Sequence, residues 1–246
     1  AAAPVSSLDQ RGVARPFGAH CDIGAYESMV QYGPSFLVND SSDTDDGSCA
    51  LKPGGDCSLR EALNAANAHA GVDTISFDAA LSGQTILLGS TLTLASDVTI
   101  DGTGVGITLS GQNAVGVLAV NSGVIAELRG LTIANGSAVN AGGISNAGVL
   151  TIKDSAISGC SASWAGGGIY NTSGGELTVL NSTLSGNTSG NMGGGIANFG
   201  GLVVSNSTFS ANSAPNGGGI YNENSLAVPT AVCRATPAGA STTHPR

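Results

Sequence analysis

The chain has 246 residues, 38 glycines and a formal charge of -9, while charged residues make up 10% of it and aromatic residues 4%. With eight Lys and Arg against 17 Asp and Glu, it is a poor candidate for binding nucleic acid or an anionic membrane surface, because both require positive charge opposite phosphates. Hydrophobic residues still reach 41%, which excludes a highly charged disordered polymer, and no run of about 18 apolar residues predicts a membrane-spanning helix.

An acidic segment comes before the first predicted helix. Residues 39–47 contain four aspartates. Calcium prefers clustered carboxylate oxygens, so Asp43, Asp45 and Asp46 are weak candidate calcium ligands, and calcium is the one possible cofactor. The segment lacks the glutamate that closes an EF-hand loop, and a solvated acidic loop is the alternative interpretation.

A capping box marks the start of that helix. The Ser58 hydroxyl is expected to accept from the Glu61 amide, and the Glu61 carboxylate to accept from the Ser58 amide. The alanine-rich run that follows predicts a helix over about 58–70, ended by Gly71. Residues 73–77 then read as the first strand, so the helix would cover one end of the structure that follows.

The five cysteines suggest one disulfide. Cys49 and Cys57 lie eight residues apart around a Pro-Gly-Gly turn, which favours a disulfide and an oxidising compartment. A metal pair is the rival, but the three histidines lack metal-ligand spacing. Cys160 falls at a repeated Asn or Gly position and is predicted to be a packed thiol. The partners of Cys21 and Cys233 are left open.

The strongest pattern in the chain is a repeat of 24 to 27 residues. Gly-Gly-Ile occurs four times, and an asparagine follows each isoleucine by two residues. A second motif repeats with the same period, since residues 181–187 recur as residues 206–212. Two motifs with one period make coincidence a poor explanation. The repeated positions are Ile144, Ile169, Ile196 and Ile220, with Asn146, Asn171, Asn198 and Asn222.

This period predicts a parallel β-helix. The segments between the glycines are short and rich in β-branched residues, whereas helical hairpins need a period of 3.6 and a propeller blade needs about 40 residues. Stacked coils would place the four isoleucines in an inward aliphatic column and the four asparagines in an amide ladder. Residues 81–226 leave room for five to six coils.

Two motifs resemble known protein families. Cys57–Ala62 reads CSLREA, and the surrounding run at 36–80 resembles the N-terminal cap of the CSLREA-domain proteins, which are large secreted bacterial right-handed β-helix proteins. The coils at 130–222 resemble polymorphic outer membrane protein repeats, through Gly217–Ile220 and Phe209–Asn212. The resemblance implies a right-handed solenoid that is secreted or exposed at the bacterial cell surface, where several such proteins act as adhesins.

A third resemblance concerns the chain ends. Residues 1–28 resemble the closing segment of a preceding β-helix module, although they lie before the cap. We therefore expect 29–35 to be a linker and the chain to be cut from a longer tandem protein. Residues 227–246, rich in Pro, Ala and Thr, are predicted to be a disordered or truncated tail.

The coils contain no convincing catalytic set. Lys153 and Asp154 are sequence neighbours and would point to opposite faces of a strand, and Asp154 matches the repeated position of an asparagine. The spacing of Asp97 and Asp101 would place them on one face of a strand. Gly102 follows directly, however, so the segment is equally compatible with a turn. The charged residues from 113 to 226 are Glu127, Arg129, Lys153, Asp154, Glu176 and Glu223.

Binding is the more plausible function. If Ile169 and Asn171 point inward, Tyr170 between them points outward, as does Tyr221 two coils later. These tyrosines and Trp164 are candidates for stacking on sugar rings or on other cell-surface molecules, and scattered surface aromatics are the alternative. The sequence thus predicts a non-enzymatic adhesin, stalk or carbohydrate-binding surface, with a polysaccharide lyase or glycoside hydrolase as the second hypothesis.

Overall fold

Short runs of alternating buried and exposed residues form the strands, and each strand pairs in parallel with its equivalent in the next turn of the chain. The computed structural model describes residues 29–51 and 56–234. Apart from one α-helix and one short 3-10 turn, the regular structure in this part of the chain is all β. The predicted parallel β-helix is confirmed as a β-solenoid, and its handedness stays a prediction.

The helix α1 spans Leu59–Ala68, and the 3-10 turn spans Ala79–Leu81. The strands, in chain order, are β1 (Met29–Val30), β2 (Ser35–Val38), β3 (Ala50–Leu51), β4 (Asp73–Phe77), β5 (Thr85–Leu87), β6 (Leu92–Leu94), β7 (Val98–Asp101), β8 (Thr108–Ser110), β9 (Leu118–Val120), β10 (Ile125–Arg129), β11 (Thr132–Ala134), β12 (Ser137–Asn140), β13 (Ile144–Asn146), β14 (Val149–Lys153), β15 (Ala156–Ser158), β16 (Ser161–Ala165), β17 (Ile169–Asn171), β18 (Glu176–Leu180), β19 (Thr183–Ser185), β20 (Thr188–Ser189), β21 (Ile196–Asn198), β22 (Gly201–Ser210), β23 (Ile220–Asn222) and β24 (Leu226–Arg234).

Three parallel sheets enclose the core. The largest follows the order β2-β4-β7-β10-β14-β18-β22-β19-β15-β11-β8-β5, because the long strand β22 joins two faces, and β24 also pairs with β22. The second sheet has the order β6-β9-β13-β17-β21-β23, and the third has the order β12-β16-β20. Each turn of the solenoid contributes one strand to the second sheet. Its six strands therefore correspond to six turns, which agrees with the predicted five to six coils.

The predicted aliphatic column is confirmed and is longer than expected. The four isoleucines are direct register partners in the second sheet, and two leucines continue the column toward the cap. Each member is buried, so every turn adds the same kind of apolar contact. The full column is Leu92, Leu118, Ile144, Ile169, Ile196 and Ile220.

The predicted amide ladder is also confirmed. Asn146 Nδ2 donates to Asn171 Oδ1 at 2.7 Å, and Asn171 Nδ2 donates to Asn198 Oδ1 at 2.6 Å. Asn198 Nδ2 donates in turn to Asn222 Oδ1 at 2.7 Å. The first three side chains are completely buried, so these bonds satisfy polar groups that water cannot reach.

A second polar column contains Cys160. Its backbone amide donates to Asn187 Oδ1 at 3.0 Å, and the Asn187 amide donates to Asn212 Oδ1 at 3.0 Å. The thiol replaces the next asparagine, and Cys160 Sγ accepts from the Gly136 amide at 3.4 Å. The predicted packed thiol at a ladder position is therefore confirmed.

The burial of Cys160 predicts low reactivity and a stability that depends on pH. Burial raises the pKa of the Cys160 thiol from its ordinary 9.0 to about 11, against a smaller opposite effect of the Gly136 hydrogen bond. Because the unfolded thiol ionises first, this contribution to stability is complete below pH 9 and is lost as pH rises to about 11. We expect Cys160 in a Cys21→Ser/Cys233→Ser variant to resist the thiol reagent DTNB at pH 8 until urea unfolds the chain.

A Cys160→Ala change in the same background serves as the control. It should remove the DTNB reaction of the unfolded chain and flatten the fall in unfolding free energy between pH 9 and 11. Rapid labelling of the folded protein would contradict a buried thiol.

The predicted capping helix is confirmed. Ser58 Oγ accepts from the Glu61 amide at 3.1 Å, and Glu61 Oε2 accepts from the Ser58 amide at 2.8 Å. The helix ends at Ala68, with His69 as its C-cap, which is about two residues earlier than predicted. Its buried face packs against β2, β4 and β6, so the helix covers the first turn of the solenoid.

The structure differs from the sequence predictions at the entry to the cap. Strand β2 pairs in parallel with β4, so 73–77 is the second rung rather than the first strand. The stretch predicted as a linker contains β1, which pairs antiparallel with β3. Gln31 fixes this stretch, because its side chain accepts from the Leu37 amide at 2.6 Å and donates to the Leu37 carbonyl at 2.9 Å.

The far end also differs from the prediction. Strand β24 continues to Arg234, beyond the expected end of the coils at 226, and pairs with β22. Its register shifts near Pro229, a residue without a backbone amide to donate. The predictions for residues 1–28 and for the remaining tail, 235–246, lie outside the described residues.

The Cys49–Cys57 disulfide is confirmed, and it predicts a measurable loss on removal. It joins the residue before β3 to the residue before the helix N-cap, and both cysteines are buried. Because the bond closes a short loop in the unfolded chain, replacing both cysteines by serine should lower the free energy of unfolding by about 2–3 kcal/mol. Urea unfolding measures the loss. A reducing agent should destabilise the parent protein but leave the double variant unchanged, and an equal effect on both would contradict the prediction.

Candidate functional site

Two of the three predicted binding residues lie in one outward column. Tyr170 and Tyr221 are both register partners of Ala197, which lies in the rung between them. Both tyrosines are half-buried, and their neighbours in the strands are the inward column isoleucines and ladder asparagines. The regular repeat therefore fixes the separation and direction of the two rings.

Phe199 joins the two tyrosines into a continuous row of rings. Its ring centroid lies 5.4 Å from that of Tyr170 and 5.9 Å from that of Tyr221, with both pairs of planes tilted by 48°. The Phe199 amide donates to the Asn171 carbonyl at 2.9 Å, which holds the turn after the ladder in place. We call Tyr170, Phe199 and Tyr221 the aromatic ladder; beneath its outer surface, Ala197 is completely buried.

Phe199 was not among the residues predicted from the sequence. A signal for it exists, because Phe199 directly follows the ladder residue Asn198. The equivalent positions after the other ladder asparagines hold Ala147, Thr172 and Glu223. Only the structure shows that a ring at this position turns toward the outward column.

An open pocket borders the aromatic ladder. It has a volume of about 370 Å³ and is lined by Ser173, Phe199, Glu223 and Asn224. Asn224 Nδ2 donates to the Phe199 carbonyl at 3.1 Å, and Asn222 Nδ2 donates to the Asn224 carbonyl at 2.6 Å. The pocket thus combines an aromatic wall with exposed polar groups on turns that hydrogen bonds hold in place.

Trp164 lies apart from this row. It is 53% exposed and belongs to β16 in the three-stranded sheet, whereas the tyrosines belong to the six-stranded sheet. Within the described residues, the ring contacts join Phe199 to the two tyrosines and do not involve Trp164. The structure brings together two of the three predicted binding residues.

A separate charged group occupies the largest sheet. Asp101, Arg129 and Lys153 are register partners in successive rungs. Arg129 forms a two-bond ion pair with Glu127, at 2.7 and 2.8 Å. Burial raises the pKa of Asp101, but hydrogen bonds from Thr103 and the charge of Arg129 outweigh it, so that pKa lies below its ordinary value. In this group Arg129 is paired with Glu127, and Asp101 is held by Thr103 and by the charge of Arg129.

The other candidate acids have backbone or ladder partners. Asp97 Oδ1 accepts from the Ile125 amide at 2.8 Å, and Asp101 Oδ1 accepts from the Thr103 amide at 2.9 Å at the end of its strand. Asp154 Oδ1 accepts from Asn181 Nδ2 at 3.1 Å, as expected of a ladder member.

The acidic segment before the helix also makes contacts within the chain. Asp43 forms an ion pair with Arg60 at 2.8 Å, and Asp45 Oδ2 accepts from Asn64 Nδ2 at 2.9 Å. Asp46 Oδ1 accepts from the Ser48 amide at 3.0 Å. Across 29–51 and 56–234, no three His, Cys, Asp or Glu side chains form a metal-binding group. Calcium binding at these aspartates stays a prediction.

Comparison with known proteins leaves the family undecided. No model of a known protein family matches the chain, and no curated protein matches its sequence. The resemblance to CSLREA-domain proteins and to polymorphic outer membrane protein repeats therefore stays a prediction. Within the described part of the chain, the single α-helix is too short to cross a membrane.

Proposed function

We propose that this chain belongs to a secreted or cell-surface β-solenoid that binds carbohydrate without catalysis. The observation that carries the proposal is the aromatic ladder beside an open polar pocket. Sugar rings present flat apolar faces edged with hydroxyl groups, so aromatic side chains next to hydrogen-bonding groups match them. The two tyrosines of the aromatic ladder lie in strands β17 and β23, and Phe199 lies in the turn after β21. The hydrogen-bonded asparagine column next to them supports these positions, and such preorganisation favours binding.

Two further observations support a place outside the cell. The Cys49–Cys57 disulfide fits an oxidising compartment. The resemblance of residues 36–80 to the CSLREA cap, and of the coils to surface-protein repeats, points the same way. In such a setting the solenoid serves as a stalk that carries the aromatic ladder away from the bacterium.

Glycan binding tests the proposal. The purified protein is applied to an array of bacterial, plant and animal glycans, and positive ligands are measured by calorimetry. A Phe199→Ala change should weaken binding at least tenfold, because it removes the ring that joins the two tyrosines. Tyr32→Ala is the matched control, since Tyr32 is a 76% exposed aromatic residue in the cap. Equal losses in the two variants would contradict a site at the ladder.

Incubation with polysaccharides tests the enzymatic alternative. Pectin, alginate and related polymers are followed for unsaturated products and reducing ends, with and without calcium. The paired state of Arg129 with Glu127 leads us to expect no turnover. Turnover that an Arg129→Ala change abolishes would overturn the non-enzymatic proposal and assign the chemistry to the charged group.

A further inference from the structure

The pocket beside the aromatic ladder has one ionisable group in its wall. Glu223 is exposed and lines the pocket together with Ser173, Phe199 and Asn224. Its backbone amide donates to the Asn198 carbonyl at 3.0 Å, so the carboxylate is mounted on the turn that follows the last ladder asparagine. Glu223 also occupies the position one turn after Phe199, which places charge and ring in the same column.

The surrounding coils add to this negative charge. From residue 154 to residue 224 the sequence has three acidic residues and no Lys, Arg or His. The basic residues that flank this stretch in the sequence are Lys153 before it and Arg234 after it, and they belong to strands β14 and β24 of the largest sheet. Arg129, further back in the chain, is already paired with Glu127. Among the described residues that line the pocket, none is basic, so an anionic sugar would meet repulsion from Glu223 there.

The aromatic ladder favours the same ligand charge. The faces of Tyr and Phe rings carry negative electrostatic potential and attract cations, and a carboxylate within the same pocket strengthens that attraction. A sugar with a free amino group matches both features of the pocket. Its flat ring can contact the aromatic side chains, and its ammonium group can pair with Glu223. An N-acetylated sugar of the same shape offers only the first.

We infer that the pocket binds amino sugars that carry a free ammonium group, such as β-linked glucosamine oligomers. The inference rests on the proposed carbohydrate-binding function and names the ligand class of that site. The ladder supplies contact with the sugar rings, and Glu223 selects the cationic over the N-acetylated form.

The test compares oligomers of one length that differ in charge. Glucosamine hexamer, N-acetylglucosamine hexamer and galacturonate hexamer are titrated into the full chain by calorimetry at pH 6. We expect the glucosamine hexamer to bind about tenfold tighter than the N-acetylated one, and the galacturonate hexamer not to bind. Glu223→Gln should remove the tenfold preference but keep binding of the N-acetylated oligomer, whereas Phe199→Ala should weaken both.

Two controls separate a specific site from general attraction. Asp154→Asn removes one negative charge elsewhere and installs the residue found at the equivalent positions 181 and 206, so it should leave the preference intact. Hexalysine has the charge without sugar rings and should bind more weakly than the glucosamine hexamer. An equal effect of Asp154→Asn and Glu223→Gln, or equal binding of hexalysine, would overturn the inference.

The outcomes also distinguish the inference from the proposed function. Binding of neutral and cationic oligomers with equal affinity, lost in Phe199→Ala, would overturn the ammonium preference and leave carbohydrate binding intact. If the glucosamine hexamer still bound to Phe199→Ala with unchanged affinity, both the inference and the proposed function would be overturned, because the aromatic ladder would then have no part in binding.

Discussion

Replacing Asn171 by alanine should lower the free energy of unfolding by about 4 kcal/mol. This side chain is completely buried, and its Nδ2 donates to the Asn198 side chain and to the carbonyls of Gly175 and Gly201. Its Oδ1 accepts from Asn146. Alanine would leave several of these groups without a partner in a space closed to water, and each such group costs about 1–3 kcal/mol.

The matched control is an asparagine pair at the surface. Asn216 Nδ2 donates to Asn191 Oδ1 at 3.0 Å, but the pair is exposed. Because water can replace the lost partner, Asn216→Ala should cost less than about 1 kcal/mol. Urea unfolding followed by circular dichroism measures both variants. Similar losses of unfolding free energy at the two positions would mean that burial is not the reason why the amide ladder stabilises the fold.

The repeat explains why so much of the fold could be predicted. Parallel stacking places equivalent residues directly above one another, so a period in the sequence becomes a column in space. The spacing of Ile144 to Ile220 and of Asn146 to Asn222 therefore predicted the core column and the ladder without any knowledge of longer-range packing. The capping box at Ser58 was equally predictable, because its two hydrogen bonds depend on residues three apart.

The same reasoning could not predict contacts between columns. The Phe199 ring contacts the rings of Tyr170 and Tyr221, although Phe199 occupies a different position of the repeat, and a period does not specify contacts of that kind. Strand β1 and the end of β24 were missed for another reason. Strand β1 pairs with β3 outside the repeat, so the period carried no signal for it. Strand β24 keeps the spacing of the repeat in its pairing with β22, but the Gly-Gly-Ile motif and its asparagine, which identified the coils, end at Asn222.

A methyl group added at Gly175 should destabilise the solenoid by about 3 kcal/mol. The new Cβ would overlap Asn171 Oδ1 and lie 2.7 Å from the Asn146 carbonyl oxygen. Neither atom can move freely, because both belong to the hydrogen-bonded turns around the buried ladder. Urea unfolding of Gly175→Ala measures the loss.

The neighbouring glycine provides the control. A Cβ at Gly174 would meet nothing within 4 Å, and its backbone is not left-handed, so Gly174→Ala should change the unfolding free energy by less than about 1 kcal/mol. Equal losses of unfolding free energy in the two variants would indicate that the turn tolerates no added methyl group at either position, rather than a specific clash with the asparagines of the amide ladder. The double variant Asn171→Ala/Gly175→Ala tests the cause directly. Since removing the Asn171 side chain makes room for the methyl group, the double variant should lose less stability than the sum of the single variants.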